Sequence, residues 1–388
     1  MRFISLQENL KRGLNIVGHI TTKNINLPIL NNILIKAEGG NIELVGTNLE
    51  IGIVHQLRGK VEKDGQFTVD AKLITEYISL LGGEDKVKIE EKEKELKVEC
   101  GNYKTKIKGD SAKEFPLIPV IPKKGYYYCS AEEFRKALVS VIFAASNSEN
   151  RMELTGVLFS FKKDRLSLVA TDSYRLAEKE IKVGLFEESP DKEKSATTDE
   201  GEQNEQKLIV PSKTAQEILR ILNNWNSAAA DDEEKIKIYL SENQILFTVD
   251  SVDLISRLIN GQYPDYKQVI PSKSQTEVLV DRAEIIRAIK AAALFSKTGI
   301  NDVSLKFLSG KILVSSYSGI SGESQIEVEA EITGVDNEIT VNHRYLNDGL
   351  NNIEGERVKI SILNSDTPCI IRPEKENGYL YIVMPIRQ

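Results

Sequence analysis

The sequence predicts an α+β protein built from three repeated domains, each with two helices packed on antiparallel sheets. Three observations predict it: one order of segments recurs three times, matching apolar residues keep a fixed interval, and core-forming residues are plentiful. Of 388 residues, 40% are hydrophobic and 28% charged, which at roughly 150 residues per domain allows two or three domains.

The first recurring element is a strand-like run feeding an amphipathic helix. It reads FISLQENLKRGLNIV, then YYCSAEEFRKALVSVIFAAS, then VLVDRAEIIRAIKAAALFS. Leu6, Leu10, Leu14 and Val17 fall at helical spacing. So do Phe134, Leu138, Val141 and Ala145, and again Ile285, Ile289 and Ala292. Ser130 and Asp281 stand where N-caps belong. A strand pair follows each helix: ILIKAEGGNIELVGTNLEIGI, GVLFSFKKDRLSLVATDSYRLAEK and VSLKFLSGKILVSSYSGISGESQIEV. Alternating apolar residues around Gly-Gly, Lys-Lys-Asp and Ser-Gly turns are hairpin signals. The third element is a short strand entering a second helix, in FTVDAKLITEYISLL, LIVPSKTAQEILRIL and ITVNHRYLNDGLNNI.

Leu10 and Phe134, Leu34 and Leu158, and Thr47 and Thr171 are separated by one and the same interval. The interval lengthens only across the acidic stretch 187–206 and near NSAAADDEE. Insertions confined to polar loops, with the register kept outside them, mark duplicated domains. The expected domains are 1–123, 124–273 and 274–388. Solenoid units recur every ~20–50 residues, so repeats this long carry cores of their own, with helices on one face of the sheets.

Charge and chemistry narrow the function. Against 58 Asp+Glu the chain has 51 Lys+Arg, a net charge of −7. That excludes a protein whose whole surface wraps nucleic acid and leaves room for a local basic patch. Cys100, Cys129 and Cys369 are far apart and odd in number, which argues against a disulfide framework and fits a reducing cytosol. MRFISLQENLKRGL has no apolar signal region, and no apolar run approaches the ~18 residues that span a bilayer. The expectation is a soluble cytoplasmic protein without membrane partners.

A search for catalytic chemistry finds little. His19, His55 and His343 lack metal-ligand spacing, and no phosphate-cradling glycine motif is present. The SGISG run around Ser321 fails the nucleophile-elbow spacing. Asp172 in ATDSYR reads as a turn cap, because Asn48 holds the same place in the first repeat. No catalytic residue, metal or cofactor is predicted. A hydrolase or transferase would need a convergent polar constellation that the sequence does not display.

Basic residues, in contrast, recur at matched helix positions. Arg12, Lys136 and Arg287 share one slot on the first helices, beside Lys11 and Arg135. Lys72, Lys213 and Arg344 each follow a strand-ending valine (Val69, Val210, Val341) by three residues. Arg220 and Lys290 lie further along two of the helices. Six helices with such slots would contact phosphates without reading bases, giving sequence-independent, salt-sensitive binding. No aromatic stacking platform accompanies them, so duplex fits better than single strands.

Four segments carry a family resemblance: LPILNNILIKAEGGNIELVGTNLEIGI (27–53), ENRMELTGVLFSF with LVATDSYRLA (149–177), ISRLINGQYPDYKQVIP (255–271) and YIVMPIRQ (381–388). Together they resemble the bacterial sliding clamps, the beta subunits of DNA polymerase III. The resemblance implies a homodimer closed head to tail into a ring, helices lining a hole that encircles double-stranded DNA, and no chemistry of its own. It implies a peptide groove for the replicative DNA polymerase alpha subunit, the clamp loader and other clamp-motif proteins, including repair proteins. Carried over by motif, that groove uses Leu154, Thr171, Tyr174, Arg175, Leu176, Pro264, Val269, Ile382, Met384, Pro385, Ile386 and Arg387, with Arg175 or Arg387 holding acidic or backbone groups. Ile107, Leu294 and Phe295 resemble the subunit contact. Ser173-Tyr174 replaces a Gly-His and Ile386 a Met, which bears on partner preference. Arg344 stands at a polar groove position and is shared between groove and DNA face. The stretch 187–206 is longer than the family carries and reads as a disordered external loop.

Overall fold

Three short strands pass directly into helices because a side chain at each strand's end caps the turn that follows. Asp70 Oδ1 accepts from Leu73 N at 2.7 Å, Asp281 Oδ1 from Glu284 N at 2.8 Å and Asn342 Oδ1 from Arg344 N at 2.9 Å. The computed structural model describes residues 1–21, 25–83, 85–187, 205–224, 234–297, 299–375 and 378–387. Among these are six α-helices, two per repeat: α1 (Gln7–Gly18), α2 (Ala71–Ser79), α3 (Ala131–Ile142), α4 (Ser212–Asn223), α5 (Arg282–Ala293) and α6 (His343–Asn352). Leu10, Leu14 and Val17 are buried, as are Phe134, Leu138 and Val141, and Ile285, Ile289 and Ala292. Leu6 departs from the helical reading: it ends the preceding strand and is exposed. Most of 187–206 lies outside the described residues, but its ends do not, since Glu187 closes a strand and Gln206 opens one.

The strands gather into two compact units, one holding Met1–Ala131 and Arg220–Leu258, the other Glu132–Gly184 and Ile259–Gln388. These units cut across the repeats because backbone pairing runs through the repeat junctions. The first unit carries a 14-stranded sheet in which Val252–Arg257 pairs antiparallel with Ile51–Leu57, Leu254 opposite Ile53. The second carries a 12-stranded sheet in which Arg175–Lys182 pairs antiparallel with Tyr379–Val383, Ala177 opposite Tyr381. Helices cover one face, α1 against the strands Asn41–Thr47 and Ile51–Leu57, α5 against Lys311–Ser318 and Gly322–Gly334.

The repeats agree down to their turns. Asn48 Oδ1 accepts from Glu50 N and Ile51 N at 3.0 and 2.8 Å; Asp172 Oδ1 accepts from Tyr174 N and Arg175 N at 2.9 and 3.0 Å. Both turns pass through a left-handed residue, Leu49 at φ 75° and Ser173 at φ 79°, and Asp172 is therefore a cap, as its sequence position predicts.

One buried ionisable group links packing to pH. His55 lies beneath α1, its Nδ1 3.0 Å from where a Cβ on Gly13 would stand. It is buried and that nitrogen has no hydrogen-bond partner. Burial first, then the nearby Arg12 charge, lowers its pKa from 6.5 to about 4. The native state thus holds His55 neutral while the unfolded chain binds a proton below pH 6.5. Stability is unaffected above pH 6.5 and falls as pH drops toward 4, by about 3 kcal/mol in total. Urea denaturation from pH 7.5 to 4.5 should show this slope in the wild type and a shallower one in His55→Gln.

Candidate functional site

The basic helix positions come first. Lys11, Arg12, Lys72, Lys136, Lys213, Arg287, Lys290 and Arg344 are all exposed. Apolar periodicity buries the opposite helix faces and leaves these side chains in water. Three of them stand one turn from a carboxylate, Lys72–Glu76, Lys136–Glu132 and Arg287–Glu284, each at 3.7 Å. Such exposed pairs contribute little and exchange readily for another anion. Two positions differ from the sequence expectation. Arg135 closes a fork on Glu132, with both N–O distances 2.7 Å, and that bond holds the Glu132 carboxyl below its usual range. Arg220 turns inward: Nη2 donates to the Ile16 carbonyl at 2.7 Å and Nη1 to Asn15 at 3.5 Å. It meets last-turn carbonyls of α1, at the negative end of that helix's dipole, so Arg220 is a tie between helices.

The second unit brings several of the expected groove residues together. Leu176, Leu380 and Ile382 share one sheet face with Leu158, Val169, Ile209 and Ile370, forming an apolar cluster. Tyr263 and Tyr266 cross above it, Tyr266 donating to Glu178 Oε1 at 2.7 Å and Tyr263 to the Val169 carbonyl at 3.4 Å. Burial, then Glu178, raises the Tyr266 pKa, so the phenol stays protonated. Leu154, Thr171, Leu176 and Ile382 are buried. Tyr174 and Val269 are exposed, 63% and 39%, Arg387 is exposed, and Pro264, Met384, Pro385 and Ile386 are half-buried. These last seven are the surfaces a ligand can reach.

Arg175 is engaged within the chain. Nε donates to Asp172 Oδ2 at 2.9 Å and Nη1 to Asp348 Oδ2 at 2.5 Å, and the side chain is 11% exposed. The rings of Tyr345 and Phe143 lie 4.7 and 5.6 Å away. Burial pulls its pKa down, yet Tyr381, Asp172 and Asp348 outweigh this and raise it. The C-terminal run is fastened beside it: Met384 N donates to the Tyr174 carbonyl at 2.9 Å and Ile386 N to Thr340 at 2.8 Å. Tyr381 Oη donates to the Tyr345 carbonyl at 2.7 Å. Phe143, Thr340, Tyr345 and Asp348 were not singled out from sequence. The signal for Asp348 was indirect: an arginine on a strand that pairs on both sides needs a distant carboxylate.

The expected subunit-contact residues divide. Leu294 is 76% exposed, Phe295 is half-buried, and Ile107 is 5% exposed within the chain's own core. Open strand edges lie near them in sequence. Tyr103–Asp110 pairs along one side with Glu95–Cys100, but on the other only through Gly109 and Asp110. Its exposed face shows Lys104, Lys106 and Lys108, and Tyr103, Leu73 and Leu80 in this unit are exposed. In the second unit, Gly322–Gly334 pairs with Thr276–Asp281 only from Ala330 onward. The part left open shows Glu323, Glu327 and Glu329 exposed, and Tyr317 and Ile320 in the same unit are exposed too.

Among the described residues no group of three His, Cys, Asp or Glu is placed to hold a metal, and no helix is long and apolar enough to cross a membrane. What the described residues do present is basic helices, an apolar cluster crossed by two tyrosines and open strand edges, the equipment of a three-repeat binding protein. Family models of the DNA polymerase III beta subunit match its N-terminal domain over residues 1–119, its central domain over 129–265 and its C-terminal domain over 267–387. The chain belongs to the DNA polymerase III beta subunit family, which is non-catalytic. It is 28% identical over 391 residues to the beta sliding clamp of Synechococcus elongatus, covering 100% of this chain and 99% of that one. To the beta sliding clamp of Staphylococcus aureus it is 28% identical over 373 residues, 93% and 92% of the two chains. Among solved structures, the DNA polymerase sliding clamp of Bacillus subtilis superposes with a TM-score of 0.88 at 26% identity, covering 100% of this chain and 99% of that one. The beta subunit of Thermotoga maritima does so with a TM-score of 0.87, 26% identity and the same coverage.

Removing Arg175 would leave Asp172, 14% exposed, without its cation, a change that costs about 3 kcal/mol. Arg175→Met should therefore lower the urea midpoint, and it should release the Met384–Tyr174 contact, seen as faster amide exchange at Met384.

Proposed function

We propose that two copies of this chain close head to tail into a ring around duplex DNA and act as a processivity clamp. The clamp tethers the replicative polymerase, is placed by the clamp loader, and performs no reaction itself. The observation that carries the reading is the exposure of basic side chains at matched slots on six helices of an acidic protein. Paired chains would set twelve such helices around the duplex. Phosphate contacts made through exposed lysines and arginines are weak and independent of base sequence, which lets a topologically held ring slide. The excess of carboxylates elsewhere repels DNA from other surfaces. A cytoplasmic location beside the chromosome belongs to the same reading, and so do domain limits at 1–123, 124–273 and 274–388.

The two open strand edges support closure. A lysine-bearing edge of one copy and a glutamate-bearing edge of the other have complementary charge, and antiparallel pairing would satisfy both rows of backbone groups. Leu73, Leu80 and Tyr103 on one side and Leu294, Tyr317 and Ile320 on the other are the apolar surfaces that closure would bury. The partners' shared peptide occupies the groove, with Tyr174, Pro264, Val269, Met384, Pro385 and Ile386 as its walls. A flexible methionine there suits peptides of differing shape.

The ring is tested on a circle. With clamp loader and ATP the protein should stay on nicked circular DNA through gel filtration and run off once the circle is linearised; equal retention on both overturns the reading. Reversing Arg12, Lys136 and Lys213 together to Glu should cut retention about tenfold or more and make its loss with salt shallower, leaving peptide affinity unchanged. Deleting Met384–Gln388 should abolish binding of a fluorescent polymerase-tail peptide while sedimentation still reports a dimer.

A further inference from the structure

We propose that the first unit carries a second docking surface, built where its first and second repeats meet, and that it takes an extended acidic peptide of a partner protein. The residues that form it are all different from those of the groove on the second unit.

The repeat interval exposes it. Leu34 and Val45 are the counterparts of Leu158 and Val169, and the segment beginning at Phe115 crosses them as Tyr263 and Tyr266 cross the other pair. Thr47 and Thr171 anchor equivalent turns, donating to the carbonyls of Ile51 and Arg175 at 2.9 and 2.6 Å. Beside the crossing segment of the first unit lies a hollow of about 610 Å³, with Val45, Val54, Phe115, Ile118, Leu246 and Ile255 in its wall.

The polarity of the rim is inverted between the two places. Leu117 and Val120 are 96% and 91% exposed. Their counterparts in the second unit are Asp265 and Gln268. The crossing segment of the second unit keeps polar residues at those two positions, and its most exposed apolar side chain, Val269, is 39% exposed. Two exposed apolar side chains flanking an apolar hollow mark a surface that is covered when the protein works. An extended strand suits the hollow because alternate side chains enter it while the others remain in water.

Charge selects the peptide. Glu43 is already held by Gln56 at 2.8 Å and Lys36 at 4.0 Å, and Asp253 by Lys123 at 2.8 Å and Thr248 at 2.6 Å. Lys113, on the same rim, is exposed and has no carboxylate within ion-pair distance among the described residues. The complement is a peptide with aliphatic side chains two residues apart and a flanking carboxylate.

The probe is acetyl-Glu-Leu-Ser-Leu-Glu-amide with photo-leucine at both leucines, used on the full chain and on the Met384–Gln388 deletion, which disables the other groove. Cross-links should appear in 34–54 and 112–123 in both proteins. Leu117→Ser with Val120→Ser should cut that yield at least tenfold without changing labelling of the second unit. Lys113→Glu should lower it several-fold. Cross-links absent from those segments in the deletion protein, or unchanged by the double substitution, overturn the proposal. So does equal labelling by acetyl-Lys-Leu-Ser-Leu-Lys-amide. If the double substitution instead lowers the sedimentation coefficient of the free protein, a second copy covers the surface and the peptide reading is overturned. Failure of the groove on the second unit would show separately, as unchanged labelling there after the deletion.

Discussion

Backbone pairing through the repeat junctions is the constraint on which the molecule rests. Where Leu254 faces Ile53 and Ala177 faces Tyr381, the ladder hydrogen bonds of one repeat continue into the next. A sheet face that alternates residue by residue is thereby carried across a boundary that would otherwise be a loose link. At the second junction this puts Leu176 and Ile382 in one apolar cluster, while Arg175 and Tyr381 emerge on the opposite face beside α6. Apolar cluster and helix layer are two sides of one ladder.

The electrostatics divide along the same lines. Arg12, Lys213 and Arg344 lie in water, where the cost of charge is negligible and an incoming polyanion finds them accessible. Arg175 and Arg220 are drawn into the protein, one onto two carboxylates and the other onto helix-end carbonyls. Residue type alone does not separate the two uses. Planar guanidinium forks are suited to internal bracing, and the lysines in the set, which lack a fork, remain outside.

The fold was legible because duplication writes the same pattern three times, and errors in one copy are corrected by the others. Asp172 could be read as a cap only because Asn48 stands at its place in the first repeat. The surroundings of Arg175 were half legible. Asp172 and the C-terminal run came from matched motifs, but Asp348 and Tyr345 sit on α6, and nothing local connects them to Arg175, which lies far away in sequence. The inward turn of Arg220 was hidden for the same reason: the carbonyls of Asn15 and Ile16 leave no trace in the side-chain alphabet. Ile107 illustrates the converse, an apolar residue at a family contact position that the chain packs into its own core.

The pairing of Arg175–Lys182 with Tyr379–Val383 has an evolutionary consequence, because successive side chains of a strand point to opposite faces. A substitution there alters one side chain, whereas a single inserted or deleted residue would exchange the two faces for the rest of the strand. Sequence drift can go far under such a rule while length inside the ladders stays frozen. A chain only 28% identical to a relative yet collinear with 99% of it has the history that this rule permits, with added residues admitted where no ladder runs.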